Sequence, residues 1–244
     1  MSELKALILA AGKGTRMKSD LPKVLHTIEG KPLASYVKEA AAGAGAGKIC
    51  YVVGYKHEQV RQALQEDGVT FVLQEQQLGT GHAVKCAKDF IGTDGDVFVL
   101  CGDTPLVTAG TLEKLARYHR ENGDKATVLS AMLQDPAGYG RIIRDKGGNF
   151  VKSVEDKDAT EEERASHEVN SGMYLFDCKA LSGALDLLRN DNAQGEYYLP
   201  DTLMILMGQG DQVSACCMDD ARELLGVNTR EQLERAAKIL EERR

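Results

Sequence analysis

Residues 7–16, Leu7-Ile8-Leu9-Ala10-Ala11-Gly12-Lys13-Gly14-Thr15-Arg16, with Leu21-Pro22-Lys23 close behind, decide how this chain reads. The apolar run at the start predicts a buried strand. It breaks into two glycines interleaved with cations. Glycine lets the backbone turn tightly and brings its N–H groups close to a ligand. Lys13 and Arg16 put positive charge in the same turn, and Pro22 restrains the chain just before Lys23. A strand that ends this way suits a polyphosphate. The loop is not a P-loop, because no G-x-x-x-x-G-K-[ST] pattern is present. Nor is it the dinucleotide fingerprint, because Met17 stands where the third glycine belongs. Taken in isolation, the segment fits an ordinary strand-to-helix turn equally well; Arg16 and Lys23 tilt it toward phosphate.

Outward from this loop, strand-like and helix-like segments alternate. Strands are predicted over 5–11, 49–53, 69–73, 97–101 and 126–132, and helices over 32–44, 58–66, 80–90 and 111–121. This rhythm predicts an α/β fold with a mostly parallel sheet and helices on both faces. Such sheets bind ligands at the carboxyl ends of their strands. The Gly12 loop and Asp103 both fall just after strands. The second half is less regular. Residues 142–144 and 150–154 flank Asp145-Lys146-Gly147-Gly148-Asn149 and read as a hairpin. Strands follow at 173–176 and 213–217, and helices at 181–189 and 199–207. Residues 229–244 form a charged helix with Leu233, Ala236, Ala237 and Leu240 on one stripe. There is no internal repeat and no linker long enough to separate two domains.

The 244 residues, 43% of them hydrophobic, can bury one large core or two small ones. No apolar run approaches the ~18 residues of a membrane span, and the start carries no signal-peptide pattern, so a cytoplasmic location is expected. The six cysteines form no C-x-x-C pair and have no histidine at zinc spacing, which suits free thiols in a reducing compartment. A net charge of −7 disfavours nucleic acid and anionic membranes as partners. A nucleotide remains open, because Lys13, Arg16 and Lys23 supply positive charge locally. No histidine stands in a recognisable triad with a nucleophile and an acid. The many carboxylates give no positive signal for a glycosidase, and the cations of the first loop would go unexplained.

Further segments stand in order along the chain: Gln74 to Ala83 (QEQQLGTGHA), Cys101 to Leu106 (CGDTPL), Gly138 to Arg141 (GYGR), Glu155 to Ala159 (EDKDA), Glu168 to Gly172 (EVNSG), Asn192 to Tyr198 (NAQGEYY) and Gly226-Val227-Asn228. With the first loop they resemble the sugar-1-phosphate nucleotidylyltransferases. Within that family they are most similar to the uridylyltransferase domain of the bacterial N-acetylglucosamine-1-phosphate uridylyltransferases. The resemblance covers nearly the whole chain. It implies a Rossmann-like, mostly parallel mixed sheet of the nucleotide-diphospho-sugar transferase type, with a small sugar-binding lobe. It implies that UTP and N-acetylglucosamine 1-phosphate give UDP-N-acetylglucosamine and pyrophosphate, for cell-wall precursor synthesis, with Mg²⁺ as cofactor.

The site residues follow from the same resemblance. Leu9, Ala10, Ala11, Gly12, Gly14, Thr15 and Lys23 would line the nucleotide. Gln74, Gln77, Gly79 and Thr80 would read uracil, since glutamine both donates and accepts; the plainer reading of those glutamines is a solvated loop. Thr80 and Gly81 also suit a helix start, whose free N–H groups favour phosphate. Gly138, Gly140, Glu155, Asn170 and Asn228 would bind the sugar phosphate. Arg16 would stabilise the leaving pyrophosphate, and Lys23 would sit over the phosphates. Asp103 is the first metal ligand that the resemblance implies: a strand-end carboxylate near a phosphate loop suits a hard cation, although on spacing alone it reads more readily as a turn aspartate before Pro105. Asn228 is the implied second ligand, whereas its local reading is an N-cap for the helix from Thr229. Asp156 departs from the histidine or glutamine expected beside Glu155.

The expected organisation is a nucleotidylyltransferase domain over 1–228 and a connecting helix over 229–244. The hexapeptide repeats of the acetyltransferase β-helix that accompanies this domain in the bifunctional enzymes are absent. A monomer is therefore expected for this chain, and a trimer if its parent carries a C-terminal domain. Two competing readings are transfer to another sugar 1-phosphate such as glucose 1-phosphate, or from dTTP, and a non-catalytic nucleotide-sugar sensor. A sensor would be expected to lack Arg16, Lys23 or Asp103.

Overall fold

The computed structural model describes residues 3–243. Its strands are β1 (Leu4–Ala10), β2 (Thr27–Ile28), β3 (Lys31–Pro32), β4 (Lys48–Val53), β5 (Val69–Leu73), β6 (Asp96–Cys101), β7 (Ala126–Met132), β8 (Arg141–Arg144), β9 (Phe150–Val154), β10 (Glu168–Asp177) and β11 (Val213–Cys217). The main sheet runs β11-β7-β10-β6-β1-β4-β5, and the β8–β9 hairpin hangs on β10. β10 is antiparallel to both its neighbours, β6 and β7, while the remaining pairs along the path are parallel. The expected mostly parallel mixed sheet flanked by helices is thus the observed architecture. β2 and β3 pair only with each other.

Alternate residues of one strand enter opposite cores. Ile8 and Phe98 join Ala34, Val37, Leu112 and Leu115, which come from the helices Leu33–Gly43 and Ala109–Asn122. Leu7 and Val99 join Val84, Leu181, Leu185 and Leu203, from helices on the other face. Burial on both faces is why these strands read as continuous apolar runs rather than alternating ones. A third, smaller cluster joins Met17, Ile28, Leu33, Leu106 and Val227 to Ala236 and Ile239 of the helix Arg230–Glu242. No helix among the described residues is long and apolar enough to cross a membrane.

Besides short elements that the sequence reading lacks, among them β2, β3 and a helix at Glu161–Arg164, three differences from the expectation bear on the site. The helix predicted over 80–90 is split into Thr80–Cys86 and Lys88–Ile91. The Ala87 N–H bonds the Val84 carbonyl, a tightened turn that redirects the chain and brings Ile91 into the core. The strand predicted over 173–176 runs from Glu168 to Asp177, with its register to β7 shifting between Asn170 and Tyr174. Its first residues are polar yet buried, so hydropathy hid them. Finally, the C-terminal helix is capped by Thr229, whose side chain and that of Gln232 form a reciprocal capping box. Asn228 stands outside that cap, which leaves its side chain for other work.

Candidate active site

β1 and β6 are neighbours in parallel register, with Leu9 opposite Cys101. The chain therefore leaves both strands side by side, and the Gly12 loop emerges next to Asp103. Gly102 makes that crossing possible: a Cβ there would lie 2.8 Å from the Leu9 carbonyl oxygen. The two cations are held by separate devices. Arg16 sits in a short 3₁₀ turn, Thr15–Met17, pinned by the burial of Met17 in the third cluster. Lys23 opens a second 3₁₀ turn, Lys23–Leu25, directly after Pro22. Gly14 has φ +63°, and a Cβ on it would come within 2.6 Å of the Lys23 Cβ. Glycine at this position lets the lysine stem lie against the loop. From the far end of the chain, the Val227 N–H bonds the Asp103 carbonyl at 2.8 Å. The Asn228 N–H bonds Gln232 Oε1 at 2.8 Å.

Four residues from three distant stretches of the sequence meet here. Lys23 Nζ donates to Asp103 Oδ2 and, at 2.9 Å, to Asn228 Oδ1. Arg16 Nη2 donates to the same Asn228 oxygen at 3.0 Å. A carboxylate oxygen and an amide oxygen thus converge on one cationic point. This donor set fits a hard divalent ion, which takes oxygen ligands from one or two carboxylates and completes its shell with phosphates and water. Among the described residues no group of three or more His, Cys, Asp or Glu could hold a metal by itself.

Lys23 and Asp103 of this cluster line one cavity, and a second cavity adjoins the first. The first, about 380 Å³, is lined by Leu9, Ala10, Ala11, Gly12, Lys23, Gln74, Gln77, Gly79, Thr80 and Asp103 among the residues expected from sequence. Val24, Ala83, Cys101 and Glu196 line it too, and sequence reasoning gave them no role. Gly14, Thr15 and Arg16 do not line it; they form the turn beyond its mouth. Lys13 turns toward the Tyr55 ring, 5.7 Å from its centroid. Gln74 is buried and donates to the Gly79 carbonyl, so it shapes the wall and is no solvated loop residue. Gly79 has φ +106°, and a Cβ there would lie 2.6 Å from the Tyr197 carbonyl oxygen. The Gly81 N–H is spent on that same Tyr197 oxygen at 2.8 Å. The expectation that the Gly81 amide faces a phosphate is therefore corrected: strand-like pairing with the 197 segment consumes it.

The second cavity, about 190 Å³, is lined by Gly138, Gly140, Glu155 and Asn170 from the expected set, with Tyr139, Ser171, Gly172, Tyr174, Leu199 and Pro200. Leu9, Thr80 and Cys101 belong to both cavities. Asn228 lines neither and works only at the cation cluster. Asn170 donates from Nδ2 to Ser153 Oγ and Tyr174 OH, and its Oδ1 accepts from the Gly172 N–H at 2.8 Å. One lone pair of Oδ1 is left over. Burial raises the Glu155 carboxyl above its ordinary value, and Asp201, Asp158, Asp156 and Glu196 add to the shift. Burial also pushes the Cys101 thiol up to about 12, with Asp103 contributing, so at neutral pH it is a packing group and a weak donor to the Gly172 carbonyl. Asp156 turns away from the cavity and pairs with the buried Arg141 at 3.2 Å. Arg141 also donates to the Tyr139 carbonyl. The departure at Asp156 thus falls on the residue that braces the cavity wall.

Residues 6–163 match the MobA-like NTP transferase domain. The chain belongs to that family. It is 49% identical to a protein named Bifunctional protein GlmU from Caldanaerobacter subterraneus subsp. tengcongensis, over 100% of this chain and 53% of the relative. A protein of the same name from Bacillus cytotoxicus is 50% identical over 100% of this chain and 53% of its own length. The chain spans about half the length of the curated relatives it matches. Among solved structures, a Bacillus anthracis protein in complex with sucrose, provisionally named a glucose-1-phosphate thymidylyltransferase, superposes with a TM-score of 0.79. It covers 97% of this chain and 94% of that one at 22% identity, a likeness of fold.

Proposed function

We propose that the chain transfers a uridylyl group from UTP to N-acetylglucosamine 1-phosphate, giving UDP-N-acetylglucosamine and pyrophosphate. The observation that carries this reading is the meeting of Arg16, Lys23, Asp103 and Asn228, two of which line the first of two adjoining cavities. One cavity is walled by a glycine loop and the other by a half-buried carboxylate, Glu155. The relatives named Bifunctional protein GlmU, near half identity over the whole chain, support the choice of substrates.

The sugar phosphate is already an anion, so its oxygen needs no base to attack the α-phosphorus of UTP. One P–O bond forms, and the bond to the bridging α–β oxygen breaks. The pyrophosphate leaves with the electron pair, and no proton moves. Two polyanions must approach, so positioning and charge neutralisation carry the rate. The Gly12 loop would cradle the triphosphate through backbone N–H groups. Lys23 would lie over the reacting phosphates, and Arg16 would hold the departing pyrophosphate. Gln74, Gln77, Gly79 and Thr80 would frame the uracil. Glu155, with Gly138, Gly140 and Asn170 around it, would accept from sugar hydroxyls. Asp103 and Asn228 would hold Mg²⁺, which when bound neutralises phosphate charge and orients the two substrates. On this reading the chain works in the cytoplasm on a cell-wall precursor, as a catalytic domain over 1–228 followed by a connecting helix.

The test is pyrophosphate release with UTP, Mg²⁺ and a panel of sugar 1-phosphates. Turnover selective for N-acetylglucosamine 1-phosphate supports the proposal. Selectivity for glucose 1-phosphate would keep the reaction and change the sugar. No release with any sugar phosphate would leave the sensor reading.

A further inference from the structure

The two oxygens assigned above to a divalent ion are bonded in this structure to the protein's own cations. Lys23 Nζ bridges Asp103 Oδ2 and Asn228 Oδ1, and Arg16 takes the remaining acceptor capacity of Asn228 Oδ1. The Lys23–Asp103 pair is well shielded, with side-chain exposures of 17% and 16%. Shielded pairs are held more firmly than surface ones. The lysine stem is fixed by the Gly14 contact and by Pro22.

We propose that Lys23 is a built-in counter-ion for the metal site. Its ammonium occupies the convergence point of the Asp103 and Asn228 oxygens until a polyphosphate draws it away. A divalent ion and an ammonium cannot share that point, because like charges at contact distance repel strongly. A triphosphate arriving on the Gly12 loop offers Lys23 and Arg16 new anionic partners. Both cations swing from the oxygens to the phosphates, and the oxygens become available to the metal. Metal and nucleotide then favour each other's binding, reciprocally. Lys23 has two successive posts: it guards the metal ligands in the resting site, then neutralises phosphate in the working one. The identity of the polyphosphate rests on the function proposed above; the competition between ammonium and metal does not.

The test uses the full chain without nucleotide and Mn²⁺ as the probe, with bound and free metal separated by electron paramagnetic resonance. Lys23→Met keeps the stem and removes the charge. It is expected to bind Mn²⁺ about tenfold more tightly than the wild-type chain, the scale of one charged hydrogen-bonded partner, even as turnover falls. Lys23→Arg keeps a cation at the same oxygens and should bind Mn²⁺ as weakly as the wild type. Adding Asp103→Ala to Lys23→Met should abolish the gain. Lys23→Gln provides a second neutral variant should Lys23→Met fold poorly. Equal or weaker Mn²⁺ binding by the neutral variants, or a gain in Lys23→Arg as large as in Lys23→Met, would overturn the proposal. Failure of every sugar phosphate to release pyrophosphate would refute the function and leave this metal comparison standing.

Discussion

The two cavities share Leu9, Thr80 and Cys101 as a common wall and are otherwise built in opposite ways. The first draws its wall from one continuous strand end, Leu9 to Gly12, with Lys23 lining it and Arg16 in the turn beyond. The second is assembled from the 138–140 loop, the end of the β8–β9 hairpin, the irregular stretch of β10 and the 199–200 segment. Its one lining carboxylate is Glu155, and Asp201, Asp158, Asp156 and Glu196 lie close enough to add to the rise that burial gives the Glu155 carboxyl. A polyanion needs amides and cations on a rigid, short segment. A sugar needs acceptors on several sides, and only a convergent set of loops provides them. Placing the two against each other puts a nucleophile beside an electrophile.

Removing charge at the cation cluster should break this arrangement most severely. Asp103→Ala is expected to lower turnover by about two orders of magnitude or more, measured as pyrophosphate release; near-normal turnover would remove Asp103 from the metal site. Next in size, Arg16→Ala should cost about ten- to hundredfold in turnover. Binding of the nucleotide-sugar product, which lacks the leaving pyrophosphate, should change much less. Equal losses in both would contradict a leaving-group role.

On the opposite side, Glu155→Gln should raise KM for the sugar phosphate about tenfold and leave KM for UTP flat; parallel rises would mean the two cavities are not separate subsites. The same variant carries a stability signature. The folded-state pKa of Glu155 is raised above its ordinary value of 4.5. The folded chain therefore binds more protons than the unfolded one in that range. Stability is full below about pH 4.5 and falls as pH rises through the folded value. Glu155→Gln should lack this fall, so its thermal midpoint should gain on the wild type from acid toward neutral pH. A midpoint difference independent of pH would contradict the shift.

The smallest effect is expected at Gln232, which caps the C-terminal helix and holds the Asn228 N–H. Gln232→Ala should cost about 1 kcal/mol of stability, together with a few-fold loss of turnover. Gln232→Glu, which keeps the acceptor, should restore both. Loss of stability without loss of turnover would confine Gln232 to capping.

Legibility followed the same division. β5 and β7 were readable to the residue: β7 is buried on both faces nearly throughout, and β5, an edge strand, is a β-branched and aromatic run that follows a turn signal. The start of β10 was not, since Glu168 and Asn170 are polar and become strand only by pairing with β7 and bonding Arg144, Ser130 and Ser153. The Gly12 loop announced itself through glycines and cations within a few positions. Tyr174 and Pro200 gave no local signal, and Tyr139 and Ser171 lie inside quoted segments without being singled out by their residue type. Cys101 and Glu196 lie inside quoted segments, but only the folded chain brings them to the cavity wall.

The sequence by itself determined the sheet, the phosphate-type loop at the end of its first strand, and the identity of the charged groups, because periodicity and residue chemistry are local properties. Only the tertiary structure decided that Asp103 and Asn228 meet, that Lys23 lies between them, that Asp156 braces Arg141 instead of facing the cavity, and that Gly81 has no amide to spare. Each of those depends on a contact between distant segments. Strand register, a helix cap and the burial of Met17 and Val227 fix such contacts, and no window of sequence contains them.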